Sequence, residues 1–98
     1  MCDMFYKCES LKNINLSNFN TINVESMKEM FYGCKSLKNL NLSNFNFQNV
    51  KDVGGMFSGC ESLINIEMPK LKNKNKINTK NIFDGCKSLA HQPEIINN

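Results

Sequence analysis

At 98 residues, with a formal net charge of +3 and 41% apolar residues, the chain has room for at most one ordinary domain. So modest a positive balance does not make the concentrated basic face that nucleic acid requires, and no apolar run reaches the roughly 18–20 residues of a membrane span. No charged start leads into an apolar stretch of the secretory type, although that absence carries no weight in a chain that opens inside a repeat.

The first element is Met4-Phe5-Tyr6-Lys7-Cys8-Glu9-Ser10-Leu11, and it returns as Met30–Leu37, Met56–Leu63 and Ile82–Leu89. Phe5, Phe31, Phe57 and Phe83 are 26 residues apart, as are Cys8, Cys34, Cys60 and Cys86. A fixed period in the range of about 20–50 residues marks a stacked repeat array. The expected organisation is one array over residues 1–98, with units of about 4–29, 30–55 and 56–81 and a partial unit 82–98. Because it begins and stops inside repeats, it reads as a fragment of a longer array.

Within each unit, Leu11, Ile14 and Leu16 correspond to Leu37, Leu40 and Leu42, then to Leu63, Ile66 and Met68. The last three residues alternate, which predicts a strand with one buried face. Ser17–Thr21 and Ser43–Phe47 predict a turn, with Phe19 and Phe45 plugging the core. The spacing then changes. Val24, Met27, Met30, Phe31 and Cys34 fall 3, 3, 1 and 3 apart, predicting a short helix from near Glu25 to Tyr32. Asn23 is the expected N-cap and Gly33 the expected residue just past the helix end. Gly54 and Gly55 are expected to weaken the equivalent helix of the next unit by about 1 kcal/mol each. The third unit departs after Leu71. Lys76 and Thr79 stand where apolar residues stood, so a looser coil is expected, with Ile77 replacing the valine through a one-residue slip. In the tail, Ile95 aligns with Leu71 only by deleting two residues.

These residues resemble a known family. The pattern M-F-x-x-C-x-S-L-x-x-L-x-L-S-x-F-x-T-x-x-V-x-x-M-x-x-M-F is similar to the 26-residue repeat of BspA-like leucine-rich surface proteins, which also occurs in mycoplasmal lipoproteins and protist surface proteins. The likeness runs from Met1 to about Leu89. It implies an α/β, leucine-rich-repeat-like solenoid, with one short parallel strand and one short helix or 3-10 turn per 26-residue coil. Surface display and adhesion are also implied. It carries over no catalytic residue, and ligands vary within the family.

The outward residues of the strands are the expected partner-binding face, since repeat arrays use their concave side this way. They are Lys12, Asn13 and Asn15, then Lys38, Asn39 and Asn41, then Ile64, Asn65 and Glu67. A competing reading is that Asn and Lys merely keep a sheet face soluble. Lys70, Lys72, Lys74 and Lys76, with Lys80 nearby, form a possible polyanion patch, against the plainer reading of a solvated charged loop. The cysteines recur at a step foreign to zinc sites, which favours a ladder of buried thiols, while Cys2 is expected to be exposed. His91 is the only histidine, and no nucleophile motif accompanies it. The expectation is therefore a non-enzymatic module without metal or cofactor, recognising a protein or glycan at a cell surface. An intracellular protein-interaction scaffold is the first alternative and polyanion binding the second. Nucleic acid is disfavoured, because no exposed aromatics are interleaved to stack on bases.

Overall fold

The computed structural model describes residues 4–72, 77–89 and 96–97. Successive 26-residue segments lie on one another in register. The rings of Phe5 and Phe31, Phe31 and Phe57, and Phe57 and Phe83 stack at centroid separations of 5.3, 5.9 and 5.5 Å, within 9° of parallel. Around this axis, Met27, Met30, Phe31, Cys34 and Leu37 meet their counterparts Val53, Met56, Phe57, Cys60 and Leu63, and all ten are fully buried. An apolar side chain at a repeating position is thus covered above and below by its own equivalents.

The α/β leucine-rich-repeat-like solenoid expected from the sequence, with a strand and a helix or 3-10 turn in each coil, is not what forms. The described residues contain no helix. They contain four short strands in two separate parallel pairs. β1 (Asn39–Asn41) lies beside β2 (Asn65–Glu67), and β3 (Leu71–Lys72) lies beside β4 (Ile96–Asn97).

Backbone geometry explains the missing helix. Glu29, Gly55 and Asn81 stand in the left-handed region, at φ of 55°, 62° and 61°, inside the segment where a helix needs uninterrupted φ near −63°. Four residues on, Gly33, Gly59 and Gly85 are left-handed as well, as is Lys7 at the equivalent place of the first unit. The chain between them makes consecutive tight turns. Met30, Tyr32 and Cys34 N–H groups donate to the carbonyls of Met27, Glu29 and Phe31. The alternate amides point sideways. Met27, Glu29, Phe31 and Gly33 donate to Asp52, Gly54, Met56 and Ser58 of the next unit at 2.9, 3.0, 2.9 and 2.8 Å. An α-helix would use those amides on its own carbonyls and leave none for the neighbour. The apolar spacing of three looked helical because three-residue turns also return side chains to one side.

Other expectations change with it. Asn23 is not an N-cap but sits in the turn that Val24 N–H closes on the Thr21 carbonyl, at 3.0 Å. Gly54 weakens no helix. A Cβ there would come within 3.1 Å of Asp52 Oδ1 and 3.2 Å of Asn78 Nδ2. Asn78 is in the 26-residue register, bridging Asp52 as Asp52 bridges Ser26, and Ile77 stands just before it. Half-buried, it packs on the core. Ile96, rather than Ile95, lies opposite Leu71. Residues 73–76 and 90–95, including part of the expected looser stretch and His91, lie outside the described residues, as does Cys2.

Candidate functional site

The expected partner face is built on β1 and β2. Leu40 turns inward while Asn39 and Asn41 point out, and the parallel register sets Asn39 against Asn65 and Asn41 against Glu67. All nine residues of the expected face are exposed. Asn13, Asn39, Asn41, Asn65 and Glu67 line a shallow trough of about 420 Å³. Lys12, Lys38 and Ile64 occupy equivalent positions of successive units. Ile64, at 54%, is the most exposed of the large apolar residues described.

Several of these side chains already serve the fold. Asn65 Nδ2 donates to Asn39 Oδ1 at 2.9 Å, across the pair. Asn15 Oδ1 accepts the Ser17 N–H at 3.0 Å, and Asn41 Oδ1 accepts the Ser43 N–H at 2.9 Å. These are Asx turns, in which a short amide side chain mimics the backbone and turns a corner. Asn20, Asn46 and Asn78 make the same bond to the amide two residues on. Further asparagines tie coils together. Asn44 Nδ2 reaches the Leu16 and Ser17 carbonyls at 3.1 and 3.2 Å, and Asn49 Nδ2 reaches the Ile22 carbonyl at 2.7 Å. Asn15 and Asn41 therefore present their amide nitrogens in a fixed orientation, whereas Lys12, Lys38 and Ile64 project from the same face.

Lys70 is exposed just before β3, and the backbone of Lys72 is in β3. Lys74 and Lys76 lie outside the described residues. Lys80 belongs to the turn side, where it lines a different depression with Lys28 and Tyr32.

Cys8, Cys34, Cys60 and Cys86 are free thiols. Each of the last three donates its S–H to the phenylalanine carbonyl of the preceding unit: Cys34 to Phe5 at 3.2 Å, Cys60 to Phe31 at 3.1 Å and Cys86 to Phe57 at 3.0 Å. Burial, and after it the neighbouring thiols, pushes Cys34 up to about 11 and Cys60 up to about 12; burial also raises Cys86. A protonated thiol is neither a nucleophile nor a metal ligand. Among the described residues, no group of three or more His, Cys, Asp or Glu side chains is placed to hold a metal ion, and no helix is long and apolar enough to cross a membrane.

The sequence reading passed over the turn side. Tyr6 and Tyr32 stack there at 5.0 Å, within 11° of parallel, and Lys7 Nζ lies 5.5 Å from the Tyr6 ring centre. The signal was the variability of outward positions between otherwise matching units. Where one unit has Lys28, Glu29 and Tyr32, the next has Gly54, Gly55 and Ser58.

A family model described as "Mycoplasma protein of unknown function, DUF285" matches residues 1–96. No curated protein and no solved structure matches.

Proposed function

The chain belongs to that DUF285 family, and from this premise we propose that it is a non-enzymatic recognition module, binding a protein or glycan partner through its strand face in the manner of a surface adhesin. The observation that carries this reading is Ile64, exposed beside a row of polar residues held in register by β1 and β2. An exposed apolar group within a rigid polar surface is the usual composition of a contact patch, where a few side chains supply most of the binding energy. The finer likeness to BspA-like surface repeats adds to it through the four M-F-x-x-C-x-S-L copies.

Two measurements test the reading. Protease treatment of intact source cells, followed by an antibody to this segment, removes the signal if the segment is displayed. Protection until lysis sinks the adhesin reading. Ile64→Glu, on an exposed position, leaves folding intact and weakens binding to immobilised extracellular-matrix protein or glycan by about tenfold or more. An intracellular scaffold of the same shape is the second reading, favoured by the four free thiols, since disulfides mark oxidising compartments. The protease experiment separates the two.

A further inference from the structure

On the turn side, Gly54, Gly55 and Ser58 put three minimal side chains in one row. They take the places held 26 residues earlier by Lys28, Glu29 and Tyr32 and 26 residues later by Lys80, Asn81 and Asp84. The register is set by backbone bonds on this side: Gly33 N–H donates to the Ser58 carbonyl and Gly59 N–H to the Asp84 carbonyl, at 2.8 and 2.7 Å. The result is a slot one coil wide, of about 380 Å³, with these nine residues and Asn78 around it.

The two walls differ in chemistry. On one side stands Tyr32, half-buried, with one ring face covered by Tyr6. The stack of tyrosines ends there, because the next position is Ser58. Glu29 leans over the glycine floor, its Cγ 3.2 Å from where a Gly55 Cβ would lie. The opposite wall carries the amide of Asn81 and the carboxylate of Asp84, both exposed. An aromatic face with an apolar body, flanked by the Glu29 carboxylate and opposed by the Asp84 carboxylate and an amide with both donor and acceptor atoms, suits a flat polyhydroxylated ring. The C–H side of such a ring packs on the aromatic face, and its hydroxyls donate to carboxylates.

We propose that this slot binds one hexose ring of a glycan, stacked on Tyr32 and hydrogen-bonded by Glu29, Asn81 and Asp84. The site lies on the turn side and does not depend on the strand face. Neither proposal falls with the other.

The test uses the whole chain and three probes: methyl β-glucopyranoside, methyl β-galactopyranoside and N-acetylglucosamine. Each is titrated to high millimolar concentration while the Tyr32 ring resonances are followed by NMR. At least one probe shifts them saturably. Ser58→Tyr continues the tyrosine stack into the slot. It keeps or raises the melting temperature and weakens binding by at least about tenfold. Asp84→Ala leaves melting unchanged and weakens binding several-fold, whereas Ile64→Ala on the strand face leaves binding as it was. Silence of Tyr32 toward all three probes overturns the proposal. So does binding that survives Ser58→Tyr in a folded protein, or binding indifferent to Asp84→Ala.

Discussion

The turn side and the strand side of each coil have the same repeat and very different cohesion. On the turn side, Phe5 and Lys7 donate to Met30 and Tyr32, Met27 through Gly33 donate at every other residue to Asp52 through Ser58, and Val53 through Gly59 do the same to Asn78 through Asp84. The ladder there crosses every coil boundary, beside stacked phenylalanines and thiol-to-carbonyl bonds. On the strand side, β1 and β2 pair over three residues, and among the described residues no backbone bond joins 12–16 to 38–42. The lesson is a division of labour. The coils are held together where the chain turns, which leaves the strand face free to vary its outward residues.

The comparison breaks most severely if the turn side proves dispensable. Phe31→Ala removes a fully buried ring stacked on both sides and is expected to cost about 3–5 kcal/mol, read by thermal or urea melting. A melting curve like that of the parent would overturn the assignment of cohesion to this side.

Alkaline pH gives the next largest effect. Thiols with raised native pKa stay protonated while the unfolded chain ionises, so their contribution is fully present below about 9 and is lost as pH rises toward 11–12. Stability measured by urea unfolding should fall steadily above pH 9. Replacing Cys34 and Cys60 together by Ala should flatten that slope. Iodoacetamide at neutral pH should leave the native Cys60 unmodified.

One backbone position sharpens the comparison by acting with opposite signs in two units. Gly59 has φ +76° and lies close to Gly33, a Cβ on it falling 3.4 Å from the Gly33 Cα. Gly59→Ala should destabilise by roughly 1–2 kcal/mol. Lys7 holds the equivalent position at φ 56° without being glycine, so Lys7→Gly should raise the melting temperature.

Smaller still is Asn44→Ala, which removes two side-chain bonds to the preceding coil and should cost about 1 kcal/mol. At the bottom is Lys51→Ala. Its 3.8 Å ion pair with Glu25 is exposed at both ends, and the change should stay under about 0.5 kcal/mol. A larger loss there would mean that surface charge, not the turn ladder, couples the coils.

Much of this molecule was legible from spacing. The 26-residue step placed Phe31 between Phe5 and Phe57 and predicted the cysteine ladder, because equivalent residues in register must meet. The outward strand residues followed from alternation, and the structure exposes all of them. The helix was misread because Val24, Met27, Met30 and Phe31 lie on one side of a run of turns as they would on a helix. The asparagines were read as binding residues or as a soluble surface. Their work at Asn15, Asn41, Asn44 and Asn49 depends on where particular carbonyls and amides end up, and composition cannot show that. The turn-side slot was missed for a similar reason, since Gly54 and Gly55 looked like a local defect until their neighbours stood on both sides.

By itself, the sequence determined the repeat, its register and which side chains fill the interior. Those follow from periodicity and from the cost of leaving apolar groups in water. Only the tertiary structure decided whether each backbone amide bonds within its own coil or to the next one. That choice is set by left-handed residues such as Glu29 and Gly55 and by the presence of a neighbouring coil to receive the bond. It replaced the expected helices with turns and opened the row above Gly54, Gly55 and Ser58.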